Sequence, residues 1–350
     1  MRIGVALAYW GLGFTKDDQA TLAVAAEQLG FDSLWVAEGY GSDAVSVLAW
    51  LAAQTKRIKL GSSIMQIPGR PPTMTAMSAA TLDTLSDGRF SLGLGLSGPQ
   101  VSEGWYGVRY GSPLTRTREY VDVLRMTLAR HRVEYHGDTI DLPLPDGPGK
   151  PLKLTIATVQ SRIPILLAAI GPRNVALAGE IADGWMPTFF SPEHVDALRA
   201  PLIEGVRSAG RDPTSVKVCP QVPFRIDEDV DRARDAMRPI LSLYVGGMGA
   251  LEKNFYAKLM AQYGFANEAR RIQELFLSGR KSEAARALTP EMIDSTCLCG
   301  PVGRVRERLN AYAGAGVDTL LLLPTASAAE DLDHQLRLLA SAGRDHLGFE

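Results

Sequence analysis

The stretch DGRFSLGLGLSGPQVSEGWYG, residues 87–107, contains the pattern that decides the fold. Its apolar run, Phe90 to Leu96, follows a glycine-containing turn and ends abruptly at Ser97-Gly98-Pro99. Glycines alternate with leucines inside the run, and glycine within a strand is typical of a place where another group approaches the backbone closely. Because ligands bind where the parallel strands of an α/β fold end, we expect the polar and aromatic residues after the run to face a ligand.

Apolar runs of similar length alternate with helical patterns along the rest of the chain. The predicted strands are Ile3 to Ala8, Ser33 to Ala37, Ile58 to Leu60, Phe90 to Leu96, Pro164 to Ala168, Asp183 to Pro187, Ser215 to Pro220 and Val317 to Leu323. Alternating strands and helices predict a parallel sheet with right-handed crossovers. About eight such units close a TIM barrel, so the expected fold class is an α/β, (β/α)8 barrel with the opening stretch as its fourth strand.

Two segments of the chain are additional to the eight strand–helix units of the predicted barrel. Residues 134–155 form a polar excursion rich in proline and glycine, and residues 227–294 carry helical patterns but no clear strand. We interpret the second segment as a helical insertion before the last strand, lying over the C-terminal rim of the barrel. A separate helical domain is the alternative, but the short connections on both sides favour an insertion. The whole chain, residues 1–350, is therefore expected to be a single domain.

Composition and charge limit the class of protein. A net charge of −2 with 46% apolar and 22% charged residues is typical of a globular protein with a large core, and it predicts neither a nucleic-acid nor a membrane partner. The N-terminus resembles a first strand more than a signal peptide, and no apolar run is long enough to span a bilayer. The three cysteines include only a lone C-x-C pair, Cys297 and Cys299, so we expect no metal site. A cytoplasmic location is expected.

Familiar catalytic motifs are missing from the sequence. There is no nucleophile elbow, Walker loop, zinc spacing or Ser-His-Asp pattern. The G-x-G-x-x-G spacing from Gly93 to Gly98 is weak evidence for a Rossmann fold, because its first two glycines lie inside the apolar run. None of the histidines follows a predicted strand, so we expect no histidine base. The predicted strand ends offer small residues instead.

These small residues suit a flat, extended cofactor that needs close backbone approach and a few hydroxyl hydrogen bonds. They are Ser62, Ser63, Ser97, Gly98, Gly171 and Gly184, and Trp185 lies with them at a strand end. Ordinary turn usage is the alternative for each residue taken alone. The segment Ala169 to Asn174 ends a strand and opens a helix, so its free N–H groups and Arg173 could hold a phosphate. A plain loop with proline at the first helical position explains that segment equally well.

Four segments together resemble the bacterial luciferase-like monooxygenase superfamily. They are SLWVAEGYGSDA, LGSSIMQIPGRPP, TLDTLSDGRFSLGLGLSGPQVSEGWYG and AAIGPRNVALAGEIADGWMP. The chain is most similar to the deazaflavin-dependent oxidoreductases of that superfamily, which use coenzyme F420. The resemblance covers most of the barrel and implies a TIM barrel, commonly a homodimer, with the cofactor ring at the C-terminal rim.

The resemblance also implies positions for the cofactor. A non-prolyl cis peptide that backs the ring corresponds to Ser63-Ile64, and the acidic residue after the second strand corresponds to Glu38. The loop after the fourth strand contributes Ser97, Gly98 and Ser102. The cofactor phosphate is expected at the backbone of Gly171 and its neighbours Ile170, Pro172 and Arg173, with Gly184 and Trp185 following.

Two departures from the pattern bear on the reaction. Sugar-phosphate dehydrogenases of the family have Asp-His after the second strand, where this chain has Glu38-Gly39, and a glutamate where this chain has Pro99. Oxidation of a secondary alcohol needs a positioned base, so that activity is not expected. Reduction of an activated C=C or C=N bond needs a hydride and a proton. Candidate proton donors are Glu38, Tyr40 and Tyr106, and Tyr9 and Trp10 are expected to line the pocket.

The leading hypothesis is therefore a reductase that transfers hydride from reduced F420 to a small molecule or a peptide group. An FMN-dependent monooxygenase of the same superfamily is one alternative. A non-catalytic barrel that binds a flavin or a protein partner is another, although the glycine and serine strand ends argue against it.

Overall fold

A computed structural model describes residues 1–7, 15–249, 254–325 and 329–348. The strands are β1 (Arg2–Leu7), β2 (Ser33–Val36), β3 (Lys59–Ser62), β4 (Met65–Gln66), β5 (Phe90–Gly95), β6 (Tyr135–His136), β7 (Asp141–Leu142), β8 (Ile165–Ala168), β9 (Gly184–Met186), β10 (Lys217–Val218), β11 (Gln221–Ile226), β12 (Leu298–Gly300) and β13 (Thr319–Pro324). The helices are α1 (Lys16–Gln28), α2 (Ala44–Gln54), α3 (Pro72–Leu85), α4 (Pro99–Ser102), α5 (Pro113–Leu128), α6 (Pro172–Ile181), α7 (Val195–Ser208), α8 (Val230–Ser242), α9 (Phe255–Gln262), α10 (Ala266–Leu277), α11 (Lys281–Arg286), α12 (Pro290–Thr296), α13 (Val302–Gly314) and α14 (Ala329–Ala342).

The main sheet is parallel and closes on itself. Its strand order is β10-β9-β8-β5-β3-β2-β1-β13-β11-β12, with β4 paired to β5. β10 and β11 are two parts of one barrel strand: the first pairs with β9 and the second with β13, so this segment joins the two ends of the sheet. The fold is therefore a TIM barrel, as predicted, and all eight predicted strands are present.

The structure also contains strands that the sequence analysis did not predict. The seventh barrel strand continues to Ile226 instead of ending near Pro220. β12 pairs with the outer end of β11 and is additional to the barrel. The excursion at residues 134–155 contains the short antiparallel hairpin β6–β7. Two helices begin at side-chain caps, because Thr15 and Asp18 form a capping box on α1 and Asp43 caps α2.

The glycines of the opening stretch are required by the barrel's own interior. A Cβ atom on Gly93 would lie 1.9 Å from the backbone oxygen of Ser62, and one on Gly95 would lie 2.6 Å from the side chain of Ile64. The Trp35 ring also fills the barrel interior, and a Cβ atom on Gly61 would lie only 2.4 Å from it. The close approach that the glycines predict is therefore present, but the approaching groups belong to the protein.

Helices α8 to α12 precede the last barrel strand and share a second apolar cluster. This cluster includes Met237, Ile272 and Met292, together with Phe189 from the segment after β9. The Tyr263 hydroxyl donates a hydrogen bond to the Phe189 carbonyl, 2.8 Å away, and the Tyr263 ring stacks on His194. The inserted helices are thus bonded directly to a loop of the barrel. That the whole chain forms a single domain stays a prediction.

None of the helices in the described part of the chain combines the length and the apolar character needed to cross a bilayer.

Candidate active site

Glu38 follows β2 and is held by four hydrogen-bond donors. Arg70 donates from Nη1 and Nη2, each 2.7 Å from a carboxylate oxygen, and the backbone N–H groups of Ala44 and Gln66 donate at 3.2 and 3.1 Å. The Glu38 side chain is only 3% exposed. The bonded carboxylate raises the pKa of the Arg70 guanidinium, against the opposing effect of burial. A carboxylate held by four donors fixes the loops after β2 and β4, which suits a positioning role better than proton donation.

Gln66 connects several of the predicted residues. Its side-chain Oε1 accepts a hydrogen bond from the Tyr106 hydroxyl at 2.7 Å, and its Nε2 donates to the Ser97 hydroxyl at 2.8 Å. Its backbone N–H bonds to Glu38. Gln66 therefore brings together Glu38, Ser97 and Tyr106, three residues that the sequence analysis placed in the site. The sequence analysis missed Gln66 and Arg70, because it used their segment, LGSSIMQIPGRPP, only for the family resemblance and for the Ser63-Ile64 peptide.

The two candidate tyrosines have different surroundings. Tyr106 is half-buried, and its ring packs over Gly69. A Cβ atom on Gly69 would lie 3.1 Å from the Tyr106 ring. Burial raises the pKa of Tyr106, the Glu38 charge raises it further, and Arg70 opposes both. Tyr40 is 66% exposed and lies beside the exposed ring of Trp105, with ring centroids 6.3 Å apart. Of the two hydroxyls, that of Tyr106 belongs to the hydrogen-bonded network around Gln66.

The backbone after β3 has the predicted cis peptide bond. The Ser63-Ile64 peptide bond is cis, as the resemblance implies. The Ser63 hydroxyl lies 3.3 Å from Gln221 Oε1 on the opposite side of the barrel mouth. Ser62 is fully buried, and its hydroxyl bonds to both the N–H and the carbonyl of Gly93. Ser62 therefore bridges β3 and β5 through a hydroxyl that is used within the barrel wall, and its contact with the cofactor stays a prediction.

The loop after β5 contains three of the predicted residues. Ser97 has a left-handed backbone, with φ of 57°, and its half-buried hydroxyl reaches Gln66. Gly98 directly precedes helix α4. Ser102 is 1% exposed and donates a hydrogen bond to the Val108 carbonyl at 2.7 Å. This buried side chain closes its own loop, and its contact with a ligand stays a prediction.

The segment after β8 presents an open helix N-terminus. Gly171 precedes Pro172, the first residue of α6, and accepts the backbone N–H of Val175 at 2.9 Å. The atoms nearest to a Cβ on Gly171 belong to the ring of Phe255, at 3.6 Å. Arg173 is exposed and has no ion-pair partner within the described ranges. Ile170 packs against the inserted helices. Gly171 and its neighbours therefore leave room for a group that accepts hydrogen bonds.

Gly184 and Trp185 do not reach the rim. Gly184 is the first residue of β9, and Trp185 is 1% exposed and packs against Phe190. The Trp185 indole N–H donates to the Ala169 carbonyl at 2.9 Å. Both residues are enclosed by the protein, and their contact with the cofactor stays a prediction. The Trp185 indole supports the loop that leads to Gly171.

Two further expectations concern other parts of the chain. Tyr9 and Trp10, expected to line the pocket, lie outside the described residues. Among the residues that the structure describes, no group of three or more His, Cys, Asp or Glu side chains could hold a metal ion.

The family model of the luciferase-like monooxygenases matches residues 2–319. The chain belongs to the luciferase-like monooxygenase family. A Mycobacterium tuberculosis protein, named provisionally as a coenzyme F420-dependent oxidoreductase, is 42% identical over 95% of this chain and 97% of its own length. The 5,10-methylenetetrahydromethanopterin reductase of Methanolobus tindarius is 30% identical over 89% of this chain and 93% of its own. The coenzyme F420-dependent tetrahydromethanopterin reductase structure from Methanopyrus kandleri has a TM-score of 0.83 at 24% identity, covering 99% of both chains.

This luciferase-like chain therefore combines three features at one end of its barrel. Glu38 and Arg70 neutralise each other, Gln66 links two hydroxyl groups, and Gly171 opens a helix toward the same rim. Such a site can bind an anionic group and can supply a proton from a hydroxyl. It has no unpaired carboxylate among these residues that could act as a base.

Proposed function

We propose that the protein is a coenzyme F420-dependent reductase that transfers hydride from the reduced deazaflavin to an activated C=C or C=N bond of a small molecule or a peptide group. Family membership supports an oxidoreductase enzyme, and the names of its relatives favour F420 as the cofactor. The observation that carries the choice of reductase is the Glu38–Arg70 pair. A carboxylate bound by a guanidinium and two backbone N–H groups is poorly placed to remove a proton from an alcohol.

The residues present fit the proposed cofactor. A Cβ on Gly171 would meet only ordinary van der Waals contacts, so the backbone there is open to a phosphate, which a helix N-terminus favours. Arg173, exposed beside it, adds a positive charge. The Ser63-Ile64 peptide and Ser97 form the part of the rim where the ring would be held. When bound, reduced F420 supplies a hydride, which is a two-electron reductant.

The chain's own residues then supply the proton and the alignment. Tyr106 is the best-placed donor, because its hydroxyl is half-buried and belongs to the network around Gln66. Glu38 and Arg70 fix the backbone on which Gln66 lies. Tyr40, exposed and next to Trp105, suits contact with the substrate better than proton transfer.

An FMN-dependent monooxygenase is the second candidate, because the matching family is described by that activity. Fluorescence titration of the purified protein with F420 and with FMN separates the two. We expect tight binding of F420 and weak binding of FMN. Tight FMN binding without F420 binding refutes the proposal, and binding of neither favours the non-catalytic barrel.

A matched pair of variants tests the phosphate position. Gly171→Asp places a negative charge at the helix N-terminus, where a Cβ has room, and should weaken F420 binding at least tenfold. Gly303→Asp adds the same charge to an exposed helical glycine with open space around it and should leave binding unchanged. Equal affinities of the two variants would place the phosphate elsewhere.

We also propose a homodimer that forms through helices α2 and α3. These helices pack together and expose Trp50, Met74 and Met77, with Met74 48% and Met77 50% accessible. Large exposed apolar side chains on neighbouring helices favour a protein interface. A second copy of the chain is the occupant that the family resemblance implies.

A further inference from the structure

Gln66 is buried, yet both ends of its side chain are used. Its carboxamide lies between the hydroxyls of Tyr106 and Ser97, at 2.7 and 2.8 Å. Only 7% of the residue is exposed, so water competes little for these bonds. A carboxamide has one acceptor end and one donor end, whereas each hydroxyl can both donate and accept. The three groups therefore form a short chain of hydrogen bonds that can run in either direction.

The direction of this chain decides which of the two hydroxyl protons is free, meaning not hydrogen-bonded to Gln66. When Oε1 faces Tyr106, the Tyr106 proton is bound to Gln66 and the Ser97 proton is free. When the carboxamide is turned over, Nε2 donates to the Tyr106 oxygen and the Ser97 hydroxyl donates to Oε1. The same two heavy-atom distances serve both arrangements. In the second arrangement the Tyr106 proton is free to leave, and a donor already faces the oxygen that would become negative.

We propose that Gln66 is a positioning residue for proton delivery, which frees the Tyr106 proton for the substrate and then donates a hydrogen bond to the phenolate. This inference rests on the proposed reductase function. The hydride of reduced F420 adds to one atom of the C=C or C=N bond, and the cofactor is oxidised by two electrons. The Tyr106 O–H bond breaks and its proton adds to the other atom. The phenolate then recovers a proton from water.

The surroundings of Tyr106 explain why it needs such a partner. Burial and the nearby Glu38 charge both disfavour the phenolate and raise the pKa of Tyr106. A hydrogen bond to a charged oxygen is roughly twice as strong as one between neutral groups, so the Gln66 donor stabilises the phenolate more than its acceptor stabilises the phenol. The backbone N–H of Gln66 is anchored on Glu38, which Arg70 holds in place.

The first test does not depend on catalysis. A fluorotyrosine at position 106 acidifies the phenol and allows its ionisation to be followed by fluorine NMR in the free protein. We expect Gln66→Met to raise the titration midpoint by about one pH unit, because the phenolate loses its donor. Gln66→Glu should raise it further by adding a charge. Gln100→Met, which changes an exposed glutamine on the neighbouring helix α4, should leave it unchanged. An unchanged midpoint in both Gln66 variants would overturn the inference.

The second test asks whether Gln66 acts through Tyr106. With reduced F420 and the enone 2-cyclohexen-1-one as the probe, Tyr106→Phe should lower kcat about 100-fold. Gln66→Met should lower kcat about tenfold in the wild-type background but less than twofold in the Tyr106→Phe background, with F420 affinity unchanged. Equal losses in both backgrounds would contradict the inference. Failure to bind F420 would refute the proposed function instead, and the fluorine titration would still decide the role of Gln66.

Discussion

Replacement of Arg70 by Met should destabilise the protein by about 3 kcal/mol. Arg70 supplies two of the four hydrogen bonds to the Glu38 carboxylate, and a charged hydrogen bond contributes about 1.5–3 kcal/mol. Breaking a buried ion pair from one side costs about 3–5 kcal/mol, because it leaves an unpaired charge. The Arg70 side chain is 19% exposed, so water can partly replace it, and the lower end of this range applies.

Urea unfolding followed by circular dichroism measures the effect, and a surface pair provides the control. Arg232 makes a similar two-bond contact with Asp227, but its side chain is 66% exposed, so Arg232→Met should cost less than about 1 kcal/mol. Adding Glu38→Gln to Arg70→Met should recover about 1–3 kcal/mol by removing the unpaired charge. The reasoning is refuted if Arg70→Met and Arg232→Met cost the same, or if the double variant is less stable than Arg70→Met.

Three further predictions concern the rest of the structure. Trp185→Phe removes the indole hydrogen bond to the Ala169 carbonyl and leaves a small cavity where the larger ring was buried, so it should cost about 2–4 kcal/mol in urea unfolding and weaken F420 binding several-fold; unchanged affinity would separate this residue from the site. Burial alone would raise the pKa of Asp183, but Arg125 and other donors hold it below its ordinary value, so its stabilising effect is present above about pH 4 and is lost as pH falls through the lower folded-state pKa. Asp183→Asn should therefore flatten the acid side of the stability curve, and an unaltered curve would contradict this. Met74→Glu should convert a dimer to a monomer in sedimentation velocity, whereas Leu152→Glu, at an exposed residue outside α2 and α3, should not; a dimer that survives Met74→Glu would exclude that face.

The barrel could be predicted from the sequence because each strand is a buried apolar run between recognisable helices. The predicted seventh strand ends at Pro220, just before β11 begins, because β11 contains Pro223 and Arg225, which are not typical of a central strand. Only the register with β13 shows that this segment continues the barrel. β12 has three residues and pairs only with the end of β11, so its sequence carries little signal.

The site was predicted in outline but not side chain by side chain. The cis peptide and the acidic residue after β2 came from the family resemblance, whereas the pairing of Glu38 with Arg70 depends on how two distant loops fold together. Gln66 could not be recognised, because its importance arises from contacts with hydroxyls 31 and 40 positions away along the chain. Successive side chains of a strand point to opposite faces, and this alternation places Trp185. Its neighbour Met186 packs inside the barrel, so the Trp185 side chain faces outward.

Transfer of deuterium from reduced F420 labelled at the hydride-donating carbon tests the central claim most directly. With 2-cyclohexen-1-one as the acceptor under anaerobic conditions, a reductase should place one cofactor-derived deuterium and one solvent-derived proton across the C=C bond, which mass spectrometry of the product detects. Product without deuterium, or oxidation of the cofactor only when oxygen is present, would contradict a hydride-transferring reductase.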